Sequence, residues 1–316
     1  QATERGRKRP ESLERIYLGK APEDLVRKSE ILREARIRKL RAELLRQTAE
    51  THFKYYCSIC LIIRDENEYL EEWLQWHIGQ GVEHFYIYDH DSKQPVKGFV
   101  EGLGKEISEK VTVLEWKGKH ADAQPDAYND CLNRFRGESR WIGFIDADEH
   151  VRVKTGQTLP EFLKGYEEYA GVFANWVTYS ADGQVKECPG PLRQRFRKEF
   201  HEDKWLDKAG KIILQPYYMV DMVIHNGRAA DGFYVVDAHG EKVYNYSLVD
   251  SHPTVDFICV DHYYTKSYEE WIKKLRRGSG HAKYRRKYEE FFRVNPDMGY
   301  CREKLELQQK YEISEK

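Results

Sequence analysis

WIGFIDADEHVR, residues 141–152, runs an apolar stretch straight into Asp146, Asp148, Glu149 and His150. A buried strand that ends in carboxylates sets charge where the backbone leaves the core. That is costly unless a cation or water meets it there. Asp146-Ala-Asp148 is a D-x-D: two carboxylates two residues apart on a bent strand–loop can bind one Mg2+ or Mn2+, directly or through water. Such an ion can bridge a nucleotide diphosphate and stabilise it as a leaving group. Alone the triplet is a weak signal, because most are solvated turns. The apolar run ahead of it favours the metal reading.

Working upstream, YYCSICLIIRDE (55–66) reads as a strand feeding a loop, and NEYLEEWLQWHIGQGV (67–82) as a helix with Leu70, Trp73, Leu74 and Ile78 on its apolar face. EHFYIYDHDS is a second strand ending at Asp89, KVTVLEW (110–116) a third, DAYNDCLNRFR (126–136) a helix and WIGFIDAD a fourth strand. Strand–helix–strand at this rhythm predicts a mostly parallel α/β sheet with right-handed crossovers. Ligands bind such sheets beyond the C-terminal strand ends. The polar clusters Arg64/Glu66, Asp89/Asp91 and Asp146/Asp148 all fall there. Arg64 and Glu66 suit phosphate and ribose, or simply each other as a surface pair. Asp89 suits the N–H of a base edge, or caps its own loop.

Downstream the pattern is mixed. GVFANWVTYS, KIILQPYYMVDMVIH (211–225), GFYVVD and FICVDHYYT read as strands, and SYEEWIKKLRRGSGHAKYRRKYEEFFRVN as basic helix. In VDHYYTKSYEEW (260–271), His262 follows an apolar run and Lys266 comes one helical turn later. A neutral His is a good third ligand for Mn2+, and a Lys neutralises a diphosphate as a point charge. A buried, hydrogen-bonded core His is the competing view, for His225 as well. The Lys/Arg set at 273–287 reads as a solvated face, with Arg276 and Arg277 the candidates to face an anion.

Residues 1–20 are basic. From Pro22 to about Glu50, apolar residues recur at helical spacing among Lys, Arg and Glu, as in an amphipathic stem helix. Its stripe must pack on the main domain, on a second copy, on an adjoining domain or at a membrane surface. The expected division is a tail and stem helix over 1–50, the main domain over 51–300 and a C-terminal helical tail over 301–316. The formal net charge of -1 argues against nucleic acid as partner. Cys57-Ser-Ile-Cys60 lacks a second CxxC or CxxH and lies in a strand, so it reads as buried core thiols. No apolar run reaches the length of a membrane span, and phosphate-loop, GxGxxG, GxSxG and HExxH motifs are absent.

The blocks ICLIIRDENEYLEEWLQWHIGQGVEHFYIYDHDS, YNDCLNRFRGESRWIGFIDADEHV and HYYTKSYEEWIKKLRRG, in this order and spacing, resemble glycosyltransferase family 92 and its family-2-like relatives over about 55–280. The resemblance implies a GT-A fold and an inverting, metal-dependent enzyme that moves a hexose, best galactose from UDP-galactose, onto a glycan or polysaccharide. It implies that Arg64, Glu66, Asp89, Asp146 and Lys266 hold the donor, and that Asp146, Asp148 and His262 hold Mn2+ or Mg2+. An inverting transfer needs a base, which such enzymes often draw from an acid tens of residues past the D-x-D. Asp182, Asp221, Asp231 and Asp237 are the candidates, with Asp231 and Asp237 preferred as catalytic. Trp176 and Tyr179 would stack on a sugar, or pack the core. A nucleotidyltransferase would want a glycine-rich loop after the first strand. A non-catalytic, nucleotide-sugar-binding scaffold module is the remaining alternative. The expected setting is the bacterial cytoplasm, peripheral to the inner membrane, with the Golgi lumen as the alternative.

Overall fold

Central parallel strands are buried on both faces, and YYCSICLII is so from Cys57 to Leu61. It forms a middle strand of the sheet in the computed structural model, which describes residues 23–118, 122–201, 206, 208–243, 254–278, 285–299 and 302–311. In chain order the elements that position the site are α1 (Glu23–Glu50), β1 (Tyr55–Ile63), α2 (Asn67–Gly79), β2 (His84–Asp89), β3 (Val111–Glu115), α3 (Ala123–Arg134), β4 (Ser139–Phe144), β5 (Glu149–Val153) and β6 (Gly171–Tyr179). There follow β7 (Glu199–Phe200), β8 (Gly210–Leu214), β9 (Met219–Met222), β10 (Gly227–Ala229), β11 (Val235–Val236), β12 (Ile258–His262), α4 (Tyr268–Arg277) and α5 (Arg302–Lys310).

The main sheet runs β3-β2-β1-β4-β8-β6-β12-β5, with β7 and β11 also on β6. The half from β3 to β4 is parallel, as the rhythm predicts. The stretch 211–225 divides: β8 enters the main sheet antiparallel between β4 and β6, and β9 pairs with β10 in a separate two-stranded sheet. A Cβ on Gly210 would lie 2.1 Å from the Ala174 carbonyl oxygen, so only glycine lets β8 close on β6 at that point. Core side chains fill both faces. Cys57 packs on one side and Cys60 on the other, as period two requires, so the CxxC pair is divided between two clusters.

Leu70, Trp73 and Leu74 of α2 are fully buried, and Ile78 packs partly buried beside them. The helix α1 covers the expected range, but its apolar stripe is only half used. Leu44 and Leu45 pack on the core and Ile37 meets Gly232, whereas Ile31 and Leu32 stay exposed. The basic stretch after Ser267 is not one helix: α4 stops at Gly278, whose φ of 85° suits a residue without Cβ.

Candidate active site

β4 delivers the D-x-D. After Phe144 the chain turns tightly, with Glu149 N donating to the Asp146 carbonyl and Asp146 N donating to Glu149 Oε2 at 2.8 Å. Trp73 Nε1 of α2 donates to the same carbonyl at 3.0 Å, fixing the turn to the layer beneath. Asp146 is committed on both oxygens. Oδ2 is 2.8 Å from Lys211 Nζ of β8, and Oδ1 accepts from Gln124 and Tyr128 of α3. Burial alone would raise its carboxyl, and Lys211 pulls it below the usual range. The Lys211 side chain is itself 0% exposed.

Asp148 meets different cations. Lys274 Nζ of α4 lies 2.5 Å from its Oδ2 and Lys266 Nζ 3.8 Å away. Burial favours its neutral form, but these two ammonium groups hold it well below the carboxylate range. Burial lowers Lys274 to about 8, since Arg286 and Lys266 oppose what Asp148 contributes. The pocket thus carries surplus positive charge. Burial raises Glu149 to about 8 against the pull of Lys211.

Lys266 stands at a φ of 54°, in the left-handed region, and is 2% exposed. Such backbone costs about 1–3 kcal/mol and persists where its surroundings over-determine it. Its ammonium sits 4.1 Å over the Tyr69 ring and 3.4 Å from Glu66 Oε1. The next residue, Ser267, caps α4 in a reciprocal box with Glu270, which fixes where Lys274 and Arg277 emerge.

The structure redistributes several expected roles. Glu66 pairs with Arg277 at 2.8 Å rather than with Arg64, which is exposed and forms no ion pair among the described residues. Both oxygens of Asp89 accept one bond each from its own loop, from Ser92 N and Val96 N, and each keeps a second acceptor site. His262 is buried and neutral, lowered to about 3 by burial, and its Nδ1 has no hydrogen-bond partner. That ring nitrogen and Asp148, whose Oδ2 is held by Lys274, are donors of the kind a divalent cation takes. The three-ligand set with Asp146 is not assembled. Among the described residues no three His, Cys, Asp or Glu side chains are grouped to hold a metal, and Asp146 is paired with Lys211.

The preferred bases, Asp231 and Asp237, lie just after β10 and β11. Asp237 Oδ1 accepts from His239 N and Glu241 N in a turn. It follows β11, which pairs with Gly171 and Val172 at the start of β6, whereas His262 pairs with Thr178 near its end. Six residues of strand separate the two by roughly 20 Å. Asp231 precedes Gly232, which abuts Ile37 and Arg41 of α1. Of the others, Asp221 pairs with Arg228 at 2.7 Å on the surface, and Asp182 is exposed. Trp176 is core, 4.2 Å from the His262 ring and 5.2 Å from that of His225, and Tyr179 stacks on Tyr263. Lys211 and Lys274 are what sequence reasoning missed. Lys274 had one signal, its position three residues after Trp271 on the buried face of α4.

Residues 55–289 match the model of glycosyltransferase family 92. The chain belongs to glycosyltransferase family 92. A family 92 protein of Ricinus communis is 33% identical over 106 residues, covering 34% of this chain and 19% of that protein. A galactan beta-1,4-galactosyltransferase of Arabidopsis thaliana is 26% identical over 144 residues, 42% of this chain and 28% of that protein. The match therefore spans between a fifth and just over a quarter of these curated relatives. A glucosyl-3-phosphoglycerate synthase from Mycobacterium tuberculosis, solved with Mn2+, UDP and phosphoglyceric acid, overlaps 43% of this chain and 47% of its own at a TM-score of 0.26 and 15% identity. Family 92 membership agrees with the enzyme class expected, a glycosyltransferase, and the parallel half-sheet ending in a D-x-D is the GT-A arrangement.

Proposed function

We propose that this family 92 chain is an inverting hexosyltransferase that takes galactose from UDP-galactose and attaches it to a glycan hydroxyl. The observation that carries the reading is the convergence of Lys266, Lys274 and Arg277 on Asp148 and Glu66 at the C-terminal edge of the parallel strands. A cleft at that edge is lined by Ile63, Arg64, His90, Gln124, Asp146, Asp148 and Arg286 among others. Surplus ammonium and guanidinium groups beside a carboxylate suit a diphosphate, which needs its charge neutralised both on binding and on departure. Lys274 and Arg277 would contact its oxygens, and Lys266 would fix the near end of α4. Asp148 and His262 would hold a divalent cation, whose role is that of a Lewis acid on the departing diphosphate. Lys211 keeps Asp146 ionised, and with it the turn that presents Asp148.

The test is donor hydrolysis across a panel of nucleotide sugars with Mn2+, following free nucleotide for wild type and Asp148→Ala. Release from UDP-galactose, lost in the variant and in chelator, is the expected result. Absence of binding by any UDP-sugar in the presence of Mn2+ overturns the reading.

A further inference from the structure

A second cleft, of about 470 Å³, shares Arg64, Glu66, Lys274 and Arg277 with the first but contains neither Asp146 nor Asp148. Lysines and arginines outnumber carboxylates in its lining, seven to four. The fold answers four of the seven: Lys266 and Arg277 by Glu66, Lys274 by Asp148 and Lys273 by Glu187. Glu270, one of the four acids, is turned to Arg195 and Ser267 and is 2% exposed. Arg64, Lys93 and Arg276 have no carboxylate within ion-pair distance among the described residues. They come from the end of β1, the loop after β2 and the last turn of α4, so three remote stretches bring unpaired cations to one concavity, against two lining acids, Asp65 and Glu68, that form no ion pair among the described residues. Solvated surface cations are commonplace on convex faces; their collection in a cleft that adjoins a reaction site focuses field on one spot. Beside them Tyr311 carries the Arg276 guanidinium 5.6 Å over its ring.

We infer that this second cleft seats an anionic substituent of the acceptor, a uronate or a phosphate carried on a sugar, held by Lys93 and Arg276. The inference rests on the first cleft being the donor site, since the donor's own diphosphate is then accounted for at Asp148 and Lys274. The two clefts adjoin at Lys274 and Arg277, which line both, so a charged glycan seated in the second lies next to the sugar held in the first.

Calorimetric titration of the full chain, saturated with UDP and Mn2+, with trigalacturonate, galactose 6-phosphate and neutral galactotriose tests this. At least one anionic sugar should bind about tenfold or more tighter than galactotriose. The paired change Lys93→Gln with Arg276→Gln should weaken it by a similar factor while leaving the UDP affinity unchanged. Which of the two anionic sugars prevails assigns uronate or phosphate. Equal binding of neutral and anionic sugars, indifference to the paired change, or displacement of the anionic sugar by UDP overturns the inference. Should UDP itself not bind, the donor reading falls. The same titration on the free protein, wild type against variant, then still decides whether the cleft selects anions.

Discussion

Lys274 Nζ lies 2.5 Å from Asp148 Oδ2 and 2.7 Å from the Tyr264 carbonyl oxygen, an ion pair buried between residues 126 apart in sequence. A pair of this kind costs desolvation on both sides and returns it only while both members are present. Lys274→Met should therefore lower stability by about 3 kcal/mol in urea unfolding. Combining it with Asp148→Asn, which removes the stranded charge, should recover most of that loss. Two single losses that merely add would show that the pair is not coupled.

The reverse single change is gentler on the fold. In Asp148→Asn, Lys274 can shed its proton, since burial has already brought it down to about 8. The variant should stay folded by circular dichroism. Transfer should nevertheless fall about a hundredfold or more, because charge stabilisation at the departing diphosphate is gone. A variant within about threefold of wild type would remove Asp148 from the reaction.

Acid should weaken the protein through His77. This ring is fully buried; Nδ1 donates to the Trp73 carbonyl and Nε2 accepts from Val151 N. Burial lowers it to about 3. An unfolded histidine titrates near about 6.5. Its contribution is complete above that pH. It is lost at about 1.4 kcal/mol per pH unit as the pH falls from there toward 3, where the native ring also protonates. His262, His84 and His150 are lowered by burial as well, so unfolding free energies between pH 7 and pH 5 should fall more steeply than that, and His77→Gln should reduce the slope by about one proton.

Ser267→Ala removes one half of the box that starts α4, leaving the Glu270 backbone N–H without its cap. Loss of about 1 kcal/mol is expected. Because the same turn aims Lys266 and Lys274, the KM for the donor should rise more than kcat falls. A pure stability loss with unchanged KM would separate the cap from the site.

The half-sheet from β3 to β4 was legible because each strand carries its own evidence: an apolar run, a polar end and a helix to return the chain. The D-x-D turn was legible for the same reason, being local to one strand end. The charge balance around it was not. Lys211 is an ordinary lysine heading KIIL until β8 enters the sheet beside β4, and strand order is a non-local property. Asp231 and Asp237 were chosen by distance along the chain, which carries no information on depth in the sheet: β11 pairs with the start of β6, level with Gly143 of β4, whereas His262 pairs with its end. The Asp89 carboxylate illustrates a third limit: a loop cap and a ligand acid look alike in sequence, and here each oxygen already accepts one N–H of its own loop.

Gly210 lies one residue before Lys211, against the Ala174 carbonyl oxygen. A single methyl there would have to push β8 off its neighbour, and Lys211 would travel with it. Asp146 would then lose its counter-charge although no polar atom of the pocket had been altered. Gly210→Ala would look conservative in a sequence comparison, yet it would act as an off switch worked from behind the pocket wall.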